Sequence, residues 1–252
     1  MGDLDGEADF TLYSSTIHAG DIGSDSEIAM KYSKAYMENL KDVDFDLYDS
    51  DVIFENSGDL TVSSKYSKFE AKNTGKMDIK SYDDKFKVAL VSNVNIETKY
   101  SDFEFSSDIN KVELDFYDSN FSAGNVEQCT YQGKYSELIF VSVKNLDISN
   151  SYDDKFELGK TKQVKVTESK YSDYLLKQSS SFLLDGYDDN ITIEKLSDGF
   201  EGPINVNGKY IKLDIDSDNE PYQVYFNINM QRSICQQMFK SVSELKKVAI
   251  LN

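Results

Sequence analysis

Paired aspartates recur along the sequence, and their carboxylates are the first side chains that could bind a cation. The pairs are Asp83 with Asp84, Asp153 with Asp154, and Asp188 with Asp189. Ca²⁺ takes about six to eight oxygen ligands, but the sequence has neither an EF-hand loop nor the glycine-rich nonapeptide of calcium-binding β-rolls. We therefore interpret the pairs as solvated charges and predict no metal site, with calcium binding at these corners as the alternative.

Regularly spaced tyrosines are the second candidate set. They are Tyr13, Tyr32, Tyr48, Tyr66, Tyr82, Tyr100, Tyr117, Tyr135, Tyr152, Tyr171, Tyr187 and Tyr210, in steps of 16 to 19 residues before a last step of 23. Aromatic rings at this spacing could line a sugar-binding strip, or they could stack on one another as an internal ladder that needs no ligand. We expect the internal ladder.

The sequence shows no constellation typical of catalysis. Glycosidases need two carboxylates at a set separation, whereas the aspartates here recur on nearly every repeat without one distinct cluster. Arg232 is the only arginine, so no repeat carries one to bind an acidic sugar, and we interpret His18, the only histidine, as a solvated polar residue. We predict no catalytic residues and no cofactor. A polysaccharide-active, pectinase-like β-helix enzyme is the alternative.

The tyrosines mark a repeated unit, and a short fixed period of this kind is typical of a solenoid. Within a unit, apolar residues alternate with polar ones. Phe103 and Phe105 are one such apolar pair, and Val112 and Leu114 are the second pair of the same unit. Alternation at period two predicts short, half-buried strands rather than helices. We therefore predict an all-β chain folded as a parallel β-solenoid (β-helix), with about 17 residues per turn arranged as strand, corner, strand and loop.

A second periodicity alternates along the repeats. The residue after each tyrosine is Ser33, Asp49, Ser67, Asp83, Ser101, Asp118, Ser136, Asp153, Ser172 and Asp188. The pattern allows one turn per repeat with unlike neighbours, or one larger turn per two repeats with like neighbours. Like charges directly opposite across strands are destabilising, and the smaller turn would place a serine between successive aspartates. We therefore predict the smaller turn, with Tyr66 and Tyr82 on adjacent turns.

Both ends of the sequence depart from the regular repeat. We predict one solenoid domain over residues 1–230 and a cap or tail over residues 231–252. Within residues 233–251, Ile234, Met238, Val242 and Leu245 recur every three or four residues, which predicts a short amphipathic helix that covers the last turn or binds a partner. Residues 1–10 already resemble the approach to a repeat corner, so we expect earlier turns and an export signal to precede them.

The charge balance constrains the partners. The chain has 27 basic and 45 acidic residues, a formal net charge of −18, which argues against nucleic acid and anionic bilayers. This acidity has two interpretations: it keeps the long surface soluble, or it forms a surface that binds a divalent cation or a cationic partner. No apolar run reaches the roughly 18 residues that a spanning helix needs, so we predict no membrane insertion. Cys129 and Cys235 should lie several turns apart as small hydrophobic residues, not as a disulfide.

Several short motifs recur along the chain: KYSKFE at Lys65, SYDDKF at Ser81 and Ser151, KYSDFE at Lys99 and GKYIKLDI at Gly208. They resemble motifs of the bacterial putative auto-transporter adhesin, head GIN domain family and of related β-strand-repeat proteins. The resemblance covers residues 4–230. It implies a single-stranded right-handed parallel β-helix, similar to pectin lyases without their catalytic residues, and a cell-adhesion role in the bacterial envelope. It implies no particular functional residue.

Together these observations predict a non-enzymatic, adhesin-like or structural β-solenoid, exported to the cell envelope or the extracellular space. Its expected partners are a surface glycan or a protein ligand, with end-to-end or edge self-association as a further expectation. A purely structural spacer remains an alternative. The sequence assigns no particular residue to ligand binding.

Overall fold

A computed structural model describes residues 2–4, 9–197, 200, 202–216, 224–228 and 249–250. The chain divides into two compact units, unit 1 over Met1–Glu127 and unit 2 over Gln128–Asn252. All regular elements in the described part are strands, as the period-two alternation predicts. The helix predicted within residues 233–251 lies outside the described residues, apart from a two-residue strand at Ala249–Ile250. The predicted boundary at residue 230 lies outside them as well.

Unit 1 is a parallel β-solenoid. Its strands are β1 (Phe10–Tyr13), β2 (Thr16–His18), β3 (Ser26–Lys31), β4 (Lys34–Asn39), β5 (Val43–Tyr48), β6 (Asp51–Asn56), β7 (Leu60–Lys65), β8 (Lys68–Tyr82), β9 (Lys85–Lys99), β10 (Asp102–Phe105), β11 (Ile109–Tyr117) and the first part of β12 (Asn120–Lys134). Strands β3, β5 and β7 pair in parallel in one sheet, and β2, β4 and β6 pair in parallel in a second. Strands β8 and β9 pass through both sheets. Each turn therefore contributes one segment to each sheet.

The turn is the smaller of the two that the sequence allows. Tyr48 lies opposite Lys65, and Lys65 lies opposite Tyr82 in the next turn. These partners are 17 residues apart, in agreement with a turn of about 17 residues. Tyr66 and Tyr82 lie on adjacent turns, with ring centroids 5.6 Å apart. The preference for one turn per repeat is confirmed.

Apolar side chains alternate inward and fill the space between the two sheets. In β5 (Val43–Tyr48), Val43, Phe45 and Leu47 are buried and the residues between them are exposed. Phenylalanines also stack along the axis, since the ring of Phe86 lies 5.2 Å from that of Phe69 and 5.0 Å from that of Phe103. Burial of about 1.5 to 3 kcal/mol per large apolar side chain makes this column the main stabilising feature of unit 1.

The strands are longer than the sequence predicts. Strand β8 (Lys68–Tyr82) continues round a bend without losing its partners, because Asn73, Thr74 and Lys76 stay in register with β9. At the bend, a Cβ on Gly75 would lie 3.0 Å from the Gly58 backbone. A glycine therefore permits the close approach of two successive bends, and short strands separated by open loops are the wrong description here.

Unit 2 repeats the same construction. It contains the end of β12, then β13 (Glu137–Tyr152), β14 (Lys155–Lys170), β15 (Asp173–Ser179), β16 (Phe182–Tyr187), β17 (Asn190–Ile193), β18 (Ile204–Lys209), β19 (Lys212–Ile215), β20 (Val224–Ile228) and β21 (Ala249–Ile250). All pairings among these strands that the structure describes are parallel. Phe156 and Tyr174 stack face to face in its core at 4.9 Å.

Cys129 is a small buried residue of unit 2, as predicted. Its side chain is 1% exposed and forms no disulfide. Burial raises the pKa of its thiol far above the ordinary range, so the neutral, unreactive form predominates at physiological pH. Cys235 lies outside the described residues.

Candidate functional site

One corner of every turn brings the tyrosines and the aspartates together. At this corner a single residue per turn has a positive φ. It is Ser14 in the first turn, and from Tyr32 onward the residue type alternates between tyrosine and aspartate. In unit 1 these residues are Tyr32, Asp49, Tyr66, Asp83, Tyr100 and Asp118, and in unit 2 they are Tyr135, Asp153, Tyr171, Asp188 and Tyr210. We call this set of each unit its left-handed column. Their φ values lie between 47° and 63°, a region that is uncommon for residues other than glycine, asparagine and aspartate.

The residues before the left-handed column alternate between lysine and tyrosine. In unit 1 the set comprises Lys31, Tyr48, Lys65, Tyr82, Lys99 and Tyr117, paired in order along the sheet. The residues after it are serine or aspartate and are buried: Ser33, Ser50, Ser67, Asp84, Ser101 and Ser119. We call these sets the outer column and the buried column.

The strand register shows that successive tyrosines do not occupy the same position of the turn, contrary to what an alignment on tyrosine assumes. Tyr66 lies beside Asp83 in the left-handed column, and Ser67 lies beside Asp84 in the buried column. A tyrosine, not a serine, therefore separates successive aspartates of the left-handed column. The sequence carries a signal of this offset, because the steps from Tyr32 to Tyr48, Tyr66, Tyr82 and Tyr100 alternate between 16 and 18 residues about a turn of 17.

The offset arranges the tyrosine rings as a zigzag row. Successive rings alternate between the left-handed and outer columns, and their centroids lie 5.4 to 5.8 Å apart in unit 1 with interplanar angles of 79° to 89°. Unit 2 has its own row, with centroid distances of 5.3 to 5.8 Å. Edge-to-face contacts of this kind are favourable by about 0.5 to 1.5 kcal/mol each.

The tyrosine row lies outside the core, so the prediction of an internal ladder is wrong in its location. The left-handed tyrosines Tyr32, Tyr66 and Tyr100 are 43% to 46% exposed, and Tyr48 of the outer column is 37% exposed. The apolar residues of the strands fill the core, and the tyrosine side chains at the corner lie outside it. In both units the left-handed tyrosines are exposed, whereas Tyr82, Tyr152 and Tyr187 of the outer positions are half-buried.

Backbone hydrogen bonds support the strained column. The amide of Tyr66 donates to the carbonyl oxygen of Tyr82 at 3.0 Å, and the amide of Asp83 donates to the carbonyl oxygen of Lys99 at 2.9 Å. A left-handed conformation costs about 1 to 2 kcal/mol for an ordinary residue. Hydrogen bonds repeated between turns and the ring contacts offset that cost.

The buried column satisfies the remaining polar groups of the corner. The amide of Ser50 donates to Oγ of Ser67 at 3.1 Å, and that hydroxyl donates in turn to the carbonyl oxygen of Lys65 at 2.9 Å. Where aspartate replaces serine, the carboxylate takes over the same role, since the amide of Ser67 donates to Oδ1 of Asp84 at 2.6 Å. Each buried side chain thus links two turns.

The aspartate pairs are split between the surface and the interior. Asp83 is exposed, whereas Asp84 is 2% exposed and also accepts from the Tyr82 amide at 3.0 Å. Desolvation raises the pKa of Asp84 to about 6, although the amides of Ser67 and Tyr82 oppose the shift. The prediction that both members are solvated charges is therefore wrong for the second aspartate of each pair.

The equivalent carboxylates of unit 2 follow the same pattern. Asp189 is fully buried and accepts from the Ser172 amide and from Oγ of Ser169, both at 2.8 Å. Desolvation raises its pKa to about 6, and it raises the pKa of Asp154 as well. Within the described residues no group of three histidine, cysteine, aspartate or glutamate side chains could hold a metal ion.

Lysines of the outer column lie close to the exposed rings. Nζ of Lys31 is 5.3 Å from the centroid of Tyr32 and 5.1 Å from that of Tyr48. A cation over an aromatic face at this distance is favourable by about 0.5 to 1 kcal/mol at an exposed site. His18 is also exposed, and its ring stacks on Tyr36 at 4.7 Å, away from the row.

Comparisons with known proteins give no relative for this chain. No protein-family model, curated protein or solved structure matches it. Among the described residues, no helix is long and apolar enough to cross a bilayer.

Proposed function

We propose that this chain is a non-enzymatic, adhesin-like binding module of the bacterial cell envelope or extracellular space. The observation that carries the proposal is the row of tyrosines along each solenoid unit, in which every left-handed tyrosine is exposed. Exposed contiguous aromatic surface is uncommon on soluble proteins and is typical of interaction sites. A repeating surface of this kind suits a partner that is itself extended or repetitive.

The arrangement of the carboxylates favours binding over catalysis. Asp84 and Asp189 accept hydrogen bonds from backbone amides inside the corner, so they act as structural links between turns. A glycosidase pair would need two carboxylates facing one substrate bond. Asp83 and Asp188, the exposed partners, belong to a column in which a tyrosine separates successive aspartates.

A binding screen tests this proposal. The purified chain would be applied to immobilised glycans and matrix proteins, and saturable binding to at least one of them is the expected result. Absence of binding across the panel, combined with release of reducing ends from a polysaccharide, would replace the proposal with the pectinase-like alternative. Absence of both, with end-to-end assembly seen by light scattering, would replace it with a structural spacer.

A further inference from the structure

The tyrosine row has charged borders of opposite sign. In unit 1 the lysines of the outer column, Lys31, Lys65 and Lys99, alternate with the aspartates of the left-handed column, Asp49, Asp83 and Asp118, and all six are exposed. Each two-turn repeat therefore carries one positive charge, one negative charge and two rings. The charges of these lysines and aspartates cancel, although the whole chain has a formal net charge of −18.

Balanced borders select against strongly charged partners. An acidic polymer would gain from the lysines but would be repelled by the aspartates and by the net charge of the chain. A basic polymer would gain from the aspartates and the net charge but would be repelled by the lysines that border the row. A neutral partner that offers both hydrogen-bond donors and acceptors can use both borders. Hydroxyl groups are donors and acceptors at once, so a polyhydroxylated ligand fits.

The spacing of the rings defines the shape of that ligand. Successive rings are nearly perpendicular, so rings of like orientation recur on every second turn. Parallel turns are about 4.8 Å apart, which puts like rings at about 9.6 Å. This distance is close to the length of an extended disaccharide, and the apolar faces of sugar rings stack on aromatic rings. A linear chain would thus meet equivalent rings at every second sugar.

We propose that the tyrosine row of each unit binds a linear, uncharged polysaccharide of the β-1,4-linked hexose or pentose class, laid along the solenoid axis. The left-handed tyrosines stack on sugar faces, and the flanking lysine and aspartate side chains hydrogen-bond to the hydroxyl groups. This inference rests on the proposed binding function and names the ligand class and the site. A proline-rich peptide is the competing occupant of an aromatic surface.

Oligosaccharides of increasing length test the site. Cello-, manno- and xylo-oligosaccharides of two to six sugars would be titrated into the full chain by calorimetry, with polygalacturonate and a polyproline peptide as comparison ligands. Affinity should rise with chain length for at least one neutral series, because longer chains reach more turns. Polygalacturonate and polyproline should bind at least about tenfold more weakly, a difference of about 1.4 kcal/mol.

Asparagine substitutions remove the tyrosine rings and should preserve the backbone conformation of the corner. The variant Tyr32→Asn, Tyr66→Asn, Tyr100→Asn, Tyr135→Asn and Tyr171→Asn changes only left-handed positions, where asparagine is well tolerated. Its affinity for the neutral oligosaccharide should fall at least about tenfold while its circular dichroism spectrum stays the same. Tyr36→Asn, an exposed tyrosine of unit 1 outside the row, is the matched control and should bind as the parent does.

The binding results distinguish a wrong site or ligand class from a wrong binding function. Unchanged oligosaccharide affinity in the five-tyrosine variant overturns the site and leaves the binding function in place. Binding of polyproline or of a matrix protein, without any neutral glycan, overturns the ligand class and likewise leaves the function in place. Failure to bind any ligand overturns both.

Discussion

Asp84 makes the corner of unit 1 sensitive to pH. Its pKa is raised to about 6 by desolvation, whereas aspartate in an unfolded chain titrates near 3.9. The folded chain therefore holds this proton more tightly than the unfolded chain does. The stabilisation is full below about pH 4 and is lost as the pH rises through 6. Serine occupies the equivalent positions in neighbouring turns, at Ser67 and Ser101.

Replacement of Asp84 by serine should remove this pH dependence. We expect Asp84→Ser to raise the free energy of unfolding at pH 7 by an amount on the order of 2 kcal/mol, because no buried carboxylate must then be ionised. As the pH falls from 6 to 4, the free energy of unfolding of the parent should rise relative to that of the variant. Urea unfolding across this pH range is the measurement, with Asp44→Ser, an exposed aspartate of β5 (Val43–Tyr48), as the control.

A stability difference between parent and variant that stays constant from pH 4 to 7 would contradict the assignment of a raised pKa to Asp84. Such a result would mean that the two hydrogen bonds from the Ser67 and Tyr82 amides offset the effect of desolvation on the pKa. Desolvation also raises the pKa of Asp189 in unit 2 to about 6, so Asp189→Ser tests the same effect at a second buried carboxylate.

Asp83 tests the strain of the left-handed column. Its φ is 56° and its side chain is exposed, so its backbone conformation dominates the effect of a substitution. Asp83→Val should lower the free energy of unfolding by about 1 to 2 kcal/mol, because a β-branched residue is strongly disfavoured at positive φ. Asp83→Asn should stay within about 0.5 kcal/mol of the parent. Equal stability of both variants in urea would mean that the corner relaxes.

At the level of the strands, period-two alternation was sufficient to predict the core. Phe103, Phe105, Val112 and Leu114 are all buried as the pattern indicates. The sequence pattern does not predict the buried column, because a serine or aspartate beside a tyrosine at a polar corner is typically solvent-exposed. Its burial follows from backbone amides that need an acceptor, and that need becomes visible only when the turns are stacked.

The phenylalanine column should dominate the stability of unit 1. The ring of Phe86 in β9 (Lys85–Lys99) contacts two other rings along the axis and is 3% exposed. Phe86→Ala should lower the free energy of unfolding by about 3 to 5 kcal/mol, because it removes apolar contact and leaves a cavity. Lys87→Ala, one position outward in the alternation, should change it by less than about 0.5 kcal/mol. Similar losses for the two variants would argue against the inward alternation.

At the scale of the whole molecule, the net charge of −18 should make stability depend on salt. Self-repulsion destabilises a compact state, and the screening length falls from about 30 Å to about 8 Å between 0.01 M and 0.15 M ionic strength. The melting temperature should therefore rise over this range in sodium chloride. Calcium chloride at matched ionic strength should give the same rise, since no cluster of three or more histidine, cysteine, aspartate or glutamate side chains that could hold an ion occurs within the described residues. A larger rise in calcium would identify a specific cation site.

The alternation at the corner sets a parity rule for the length of the protein. Removal of residues 68–84 would set Tyr66 directly beside Tyr100 and Lys65 beside Lys99, so like residues would collide at the junction. Removal of residues 68–101 would instead bring Asp118 beside Tyr66 and leave the zigzag intact. Insertion or removal of an even number of turns therefore preserves the order of residue types along the corner, whereas an odd number interrupts it.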